Sequence, residues 1–231
     1  SLWSGIPCTG GSQVQNLNKQ NPSYIDKMTE HKILYDALFL AFLDIAQVIL
    51  ERRGHLTLEW PLRCAYWTSP AVQALLSLPL GWVRFTSTGC AFGLMANKGP
   101  HAGKFLAKQW SIASTIPGLQ AILGLDCPGG EGHIHTGIHG ALTKESGYYP
   151  QPMADAYHSH WPRTDDLSDD ISPDVVSLKD VRALHRDALG VPVAYRVIND
   201  MADGASTAPS PPSVSYTHLR AHETSLHLVC R

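Results

Sequence analysis

Three stretches of this chain carry residue types that can do chemistry. The first is Ile6-Pro7-Cys8-Thr9-Gly10-Gly11-Ser12. A thiol follows an apolar run and a proline, and opens a loop of small residues. Such a loop lets the thiol face a cleft and lets backbone N–H groups approach a ligand. The bland alternative is a small buried hydrophobe, which is what most lone cysteines are. The second stretch is Leu58-Glu59-Trp60-Pro61. A glutamate at the end of an apolar strand costs free energy to bury unless it has a partner or a task. A capping or ion-paired carboxylate is the competing explanation. The third runs from Cys127 through His133 and His135 to His139. Cys and His at these spacings suit a zinc site, with Cys90 or Cys64 available as a fourth ligand. Against zinc, the chain has no Cys-x-x-Cys pair, and His-x-His alternation also fits a strand with one polar face. Arg63 and the loop Asn97 to Lys104 offer cations for phosphate contacts; a solvated loop would look the same. Tyr148 and Tyr149 suit either base stacking or plain packing.

These residues need elements to hold them. Residues 9–25 read as a loop rich in Gly, Ser, Asn and Gln. From Met28 to Arg53, apolar residues recur at three and four, the spacing of a long helix that Gly54 stops. The run is nearly long enough to span a membrane, but Asp36 and Asp44 lie inside it, which favours a buried core helix and no membrane. Residues 55–59 read as a strand that Pro61 keeps from continuing. Residues 69–78 read as a helix with Ser69 at the N-cap and Pro70 in the first turn. Strands follow at 82–86 and 109–114, with a short helix or turn at 117–125. The order predicts an α/β domain over residues 1–161, with a mostly parallel sheet. In such sheets the working residues gather at the carboxyl ends of strands, where Cys8 and Glu59 both fall. Residues 162–212 read as an acidic, Pro-rich linker with one short amphipathic helix at 177–189. Residues 213–231 resemble translated sequencing-adapter DNA and read as a disordered, non-native tail.

Composition narrows the function classes. The chain has 231 residues, of which 44% are hydrophobic and 16% charged, so it is not a wholly disordered chain. Lys and Arg number 18 against 20 Asp and Glu, a net charge of −2. No global basic field exists, and a nucleic-acid partner would need a local basic groove. Five cysteines, an odd count without tight spacing, do not make a secreted disulfide scaffold. The expected compartment is intracellular, nuclear in a eukaryote. The chain starts at Ser1 with no signal-peptide pattern, and is expected to begin inside a domain.

Taken together, a Pro-Cys loop, a long helix and then a strand ending in Glu-x-Pro resemble the catalytic core of the DNA cytosine-5 methyltransferases. The likeness is nearest to a divergent branch reading Pro-Cys-Thr-Gly-Gly and Glu-Trp-Pro, associated with retroelement-rich genomes. It continues through Phe92-Gly93, the segment Lys104 to Ser114, and Tyr149-Pro150-Gln151-Pro152, and covers roughly residues 1–160. The resemblance implies a partial doubly wound (Rossmann-like) methyltransferase sheet. It implies Cys8 as nucleophile and Glu59 as the carboxyl group on the base. It further implies Thr9, Ser12, Arg63, Lys104 and Lys108 against the DNA substrate, and Pro7 against the cofactor S-adenosylmethionine. Trp60 stands where the family has Asn, Thr9 where it has Gln, and lysines where it has arginines. The family's glycine-rich cofactor loop, which precedes Pro-Cys, is not in this sequence. The alternative expectation is a non-catalytic zinc- or nucleic-acid-binding module of a mobile element, with Cys127, His133 and His135 as metal ligands.

Overall fold

A computed structural model of the chain describes residues 1–12, 15, 22–138, 140, 142–161 and 176–188. The acidic stretch 164–174, the tail 213–231 and His139 lie outside the described residues. The architecture is mixed α/β. Strand β1 (Leu2–Ser4) leads through the Cys8 loop to helix α1 (Pro22–Glu51) and strand β2 (Leu56–Pro61). Helix α2 (Pro70–Leu76) and strand β3 (Val83–Thr88) follow. After an excursion that contains β4 (Phe105–Leu106), the chain returns as β5 (Gln109–Ser114) and α3 (Leu119–Leu123). The remaining elements are β6 (His135–Thr136), α4 (Leu142–Glu145), α5 (Gln151–Ser159) and α6 (Lys179–Ala188).

The four main strands lie in the order β1-β2-β5-β3. Only β1 and β2 are parallel; β5 runs antiparallel to both β2 and β3. The sheet is therefore mixed rather than mostly parallel. A crossover helix separates β1 from β2, whereas the excursion after β3 closes on itself where Gly89 N–H bonds Lys108 O, so the chain re-enters the sheet antiparallel to β3. A second, two-stranded sheet pairs β4 with β6.

Local chemistry sets the ends of these elements. Ser69 caps α2: its hydroxyl accepts from the Val72 N–H at 3.3 Å, and Pro70 takes the first turn. Helix α1 starts at Pro22, earlier than its apolar periodicity suggests. It closes in a Schellman motif, with Gly54 N–H on Ile49 O at 2.8 Å and Arg53 N–H on Leu50 O at 2.9 Å. The left-handed residue of that motif is Arg53 (φ 55°), not Gly54. Strand β2 extends past Glu59 to Pro61. Alternate N–H groups face opposite sides of a strand. The Leu62 N–H bonds Gln109 O on the β5 side, so the donor Pro61 lacks falls on the other side, beyond where β1 stops pairing.

Period-two alternation along β2 divides the protein into two cores. Leu56, Leu58 and Trp60 face one side, packed with Leu2, with Phe39 and Leu43 of α1, Val72 and Leu75 of α2, and Leu178 and Val181 beside and within α6. On the other side Phe85, Trp110 and Ile112 pack with Leu119 and Leu123 of α3 and Met153 and Tyr157 of α5. Helix α6 is pinned by the Arg182–Asp44 ion pair and by Leu178 N–H on Gln47 Oε1 at 3.0 Å. By length and composition α1 could cross a membrane. One face of it is core, and Ile25, Ile33, Leu34, Ile45 and Val48 are exposed along the rest.

Trp60 joins the sheet to the loop after β1. Its indole N–H donates to Ile6 O at 2.8 Å inside the first core. Trp60→Phe keeps an aromatic ring but leaves that buried carbonyl unpaired, and should cost about 1–3 kcal/mol in urea unfolding. A loss under about 0.5 kcal/mol would show that the bond does not hold the loop.

Candidate functional site

Strands β1 and β2 are neighbours, so the loop leaving β1 lies beside the second half of β2. Cys8, half-buried, opens a 3-10 turn over Thr9–Gly11, with Gly11 N–H on Cys8 O at 2.9 Å. The turn lies against Cys64 and Tyr66. A Cβ on Gly11 would come within 2.7 Å of Cys64 Sγ and 3.1 Å of Tyr66 Cγ, so only glycine fits there. Trp60 fixes the loop's entrance from below through Ile6.

Glu59 points to the opposite face from Trp60 and is buried. Its Oε2 accepts a hydrogen bond from the Tyr149 hydroxyl, while Oε1 has no partner among the described residues. Gly5, three residues before Cys8, lies where the end of β1 meets this pair: a Cβ there would be 3.0 Å from Tyr149 Oη and 3.6 Å from Glu59 Oε2. Tyr149 is held in turn by Trp3, whose indole N–H donates to its hydroxyl at 3.3 Å, and by Trp110, with ring centroids 5.6 Å apart.

Burial pushes the Glu59 carboxyl up to about 7, against the Tyr149 hydrogen bond and the positive charge of Lys108, which both pull it down. Desolvation also raises the Cys8 thiol; Lys108 opposes that rise and the Glu59 charge adds to it. Lys108 therefore acts on both groups. The Cys64 thiol beneath the loop is pushed up to about 12, mainly by burial. The arrangement holds a carboxylic acid that is half-protonated near neutral pH, with one oxygen free, beside a protonated thiol. It can donate a proton to a polar ring placed against it. Burial outweighs the pull of the nearby Lys108 charge, so the Cys8 thiol lies above its ordinary value.

A second cluster forms at the small sheet. The donor atoms of Cys90, Cys127, His133 and His135 all lie within 4.8 Å of one another. The His133 and His135 Nε2 atoms are 3.2 Å apart, and Cys127 Sγ is 3.4 and 3.8 Å from them. A tetrahedral ion with ordinary metal–ligand lengths would set nitrogens about 3.3 Å apart and sulfur and nitrogen about 3.5 Å apart. The cluster could hold a metal ion. Cys90 sits in the turn after β3, Cys127 in the loop after α3, and the histidines at β6. Phe105 of β4 stacks on His133, with centroids 4.0 Å apart and planes at 16°. Without a cation, burial and the neighbouring Cys127 push the Cys90 thiol up to about 11.

The structure thus brings Cys8, Glu59 and Lys108 into one neighbourhood and Cys127, His133 and His135 into another. The choice of fourth ligand falls on Cys90, since Cys64 lies under the Cys8 loop instead. Thr9 and Ser12 flank Cys8 in its loop, Thr9 exposed and Ser12 half-buried; Pro7 is exposed. Arg63 and Lys104 are exposed, Lys104 ending the loop that precedes β4. Sequence reasoning missed Tyr149 as the partner of Glu59. The signal was the Tyr-Pro-Gln-Pro stretch, but nothing local says that a tyrosine ninety positions on reaches β2.

A carboxyl group raised on folding stays protonated longer in the folded chain than in the unfolded one. Glu59 therefore draws stability down as pH climbs from about 4.5, its ordinary value, to about 7. Asp36, also buried and raised to about 6, acts in the same direction. Glu59→Gln should flatten this decline, leaving the variant about 1–3 kcal/mol less sensitive to pH than the parent. Parallel denaturation profiles for the two proteins from pH 4 to 8 would show that Glu59 does not titrate as described.

Compared with known proteins, the chain matches no family model, no curated protein and no solved structure.

Proposed function

We propose that this chain is the base-handling part of a protein resembling the DNA cytosine-5 methyltransferases, with β1–α1–β2 as one parallel unit of a doubly wound sheet. One observation carries the reading: a buried carboxyl group beside the Cys8 loop, held by Tyr149 on one oxygen and without a partner among the described residues on the other. A buried polar atom without a partner loses about 1–3 kcal/mol. A ligand that supplies a ring nitrogen would recover that loss. Cytosine N3 is such a group.

The chemistry follows from the residues. Cys8 gives up its proton to water, a step that the Lys108 charge favours. The thiolate then adds to C6 of a cytosine that has left the stack. As the S–C6 bond forms, the C5–C6 π pair moves toward C5, and N3 takes the Glu59 proton. Electron-rich C5 can accept a proton from solvent and release its own. The returning electron pair then expels the thiolate, and N3 returns its proton to Glu59. The methyl donor implied by the resemblance is S-adenosylmethionine, which when bound would supply a methyl group to C5. The glycine-rich loop that would seat it is not in this sequence, Pro7 is exposed, and two surface grooves, of about 420 and 530 Å³, are lined by residues other than Pro7, Cys8 and Glu59. The adduct alone predicts exchange of the C5 hydrogen. Cytosine-rich single-stranded DNA incubated in D2O with the protein should gain deuterium at C5. Cys8→Ser should fall to the protein-free rate, and Glu59→Gln should lose at least about tenfold. Exchange no faster than the protein-free rate would overturn the proposal.

A second reading rests on the four-donor cluster. Two thiols and two imidazoles whose donor atoms lie within 4.8 Å of one another suit zinc better than calcium or magnesium, which prefer oxygen ligands. Four protein ligands leave no open position, so the ion would support structure rather than chemistry. This is also the feature that favours a non-catalytic zinc- or nucleic-acid-binding module. One zinc per chain is expected in elemental analysis, and less than about a tenth of that in Cys127→Ser. A full chain purified with zinc that retains none would refute the assignment.

A further inference from the structure

The two clusters share one segment of backbone. The Lys108 carbonyl accepts from Gly89 N–H at 2.8 Å, and Gly89 precedes the ligand Cys90. The Ala107 N–H donates to Thr136 O at 3.2 Å, and Thr136 follows the ligand His135. Phe105 N–H donates to Ile134 O at 2.9 Å, between the two histidines, and the Phe105 ring stacks on His133. Three backbone bonds of the segment 105–108 thus run to residues adjacent to a metal ligand, while Leu106 N–H bonds Leu94 O at 3.0 Å. The side chain at the end of that segment leaves toward the other cluster. Lys108 Nζ lies 5.8 Å over the Trp110 ring, Trp110 packs on Tyr149, and Tyr149 holds Glu59.

We propose that an ion bound by Cys90, Cys127, His133 and His135 is the clip that holds Lys108 against the Cys8–Glu59 centre, so that metal occupancy sets the reactivity of Cys8. The inference rests on the zinc reading and adds a consequence to it. Lys108 is a positioning residue here: its ammonium supports the Cys8 thiolate and touches no reacting atom. The groups that bear on Cys8 are few. Glu59 acts from β2, Lys108 from the start of β5, Cys64 and Tyr66 from the turn after β2, and Tyr149 from before α5. Of these Lys108 is the cation, and its backbone is the part tied to the metal loops. Removing the ion frees Cys90 from Cys127 and the two histidines, and the segment between them loses its register.

The test is the pH profile of Cys8 alkylation by iodoacetamide, read peptide by peptide in the full chain. Lys108→Met should slow Cys8 by about threefold to tenfold at pH 8, and Lys108→Arg should restore most of the rate. Stripping zinc with a chelator should slow Cys8 of the parent by the same factor, and should do nothing further to Cys8 in Lys108→Met. Metal analysis, with alkylation of Cys90 and Cys127, reports that the ion has left. Loss of zinc with an unchanged Cys8 profile would overturn the inference while leaving the zinc site intact. Faster Cys8 alkylation together with newly reactive Cys64 would overturn it too, since the ion would then support the whole fold. A chain that never carries zinc would fail at the metal analysis, before Cys8 is read.

Discussion

A carboxyl group sits inside a sheet that is covered on both faces, and much of the site answers to that one fact. Taking Glu59 out of water opposes its charge, and among the described residues no cation forms an ion pair with it. Tyr149 supplies a neutral donor and Lys108 a charge at longer range, and neither offsets burial, so the group ends up near neutrality in pH terms. The surrounding aromatics follow from the same need. Trp3 and Trp110 hold Tyr149 so that its hydroxyl can reach the buried oxygen. The second oxygen has no partner among the described residues.

The departure of residue 60 from the methyltransferase pattern has a physical account. Consecutive residues on a strand face opposite sides. Trp60 therefore looks away from Glu59 and into the core under α1, where a large side chain is needed to fill the space among Tyr35, Tyr66 and Trp67. Its one polar atom is used on Ile6 O, at the threshold of the Cys8 loop. Positions 59 and 60 thus divide the labour of β2. One presents a carboxyl group to one face, and the other anchors the neighbouring loop from the other face. A change of residue type at 60 alters the anchor without touching the carboxyl.

Much of this frame was legible in the sequence, because it rests on local rules. Three-and-four spacing marked α1, Ser69-Pro70 marked the start of α2, and the strand at 109–114 was placed at its observed ends. The pairing of Cys8 with Glu59 followed from two strand ends separated by one crossover helix. What escaped was non-local. The direction of β5 depends on how the chain returns after β3, and periodicity carries no sign of direction. Tyr149 meets Glu59 through tertiary packing alone. Cys90 and Cys64 were indistinguishable as fourth ligands, since their distances along the chain from Cys127 say nothing about which strand end they leave.

The excursion between β3 and β5 is longer than the topology requires. Two antiparallel neighbours can be joined by a two-residue turn. This chain instead runs through residues 89–108 before pairing back along β3 in register, Thr88 opposite Gln109. Long connections inside compact domains are usually functional, and this one begins with Cys90 and ends with Lys108. Between them, Leu106 N–H bonds Leu94 O, Ala96 N–H bonds Lys104 O, and β4 pairs with β6, so the segment is built rather than slack. Its two ends meet at the bond from Gly89 to Lys108. A turn that merely reversed the chain would put neither a thiol among histidines nor an ammonium near a buried acid. By closing on itself at that one bond, the excursion does both, and it is through this closure that the proposed metal clip would act on Lys108.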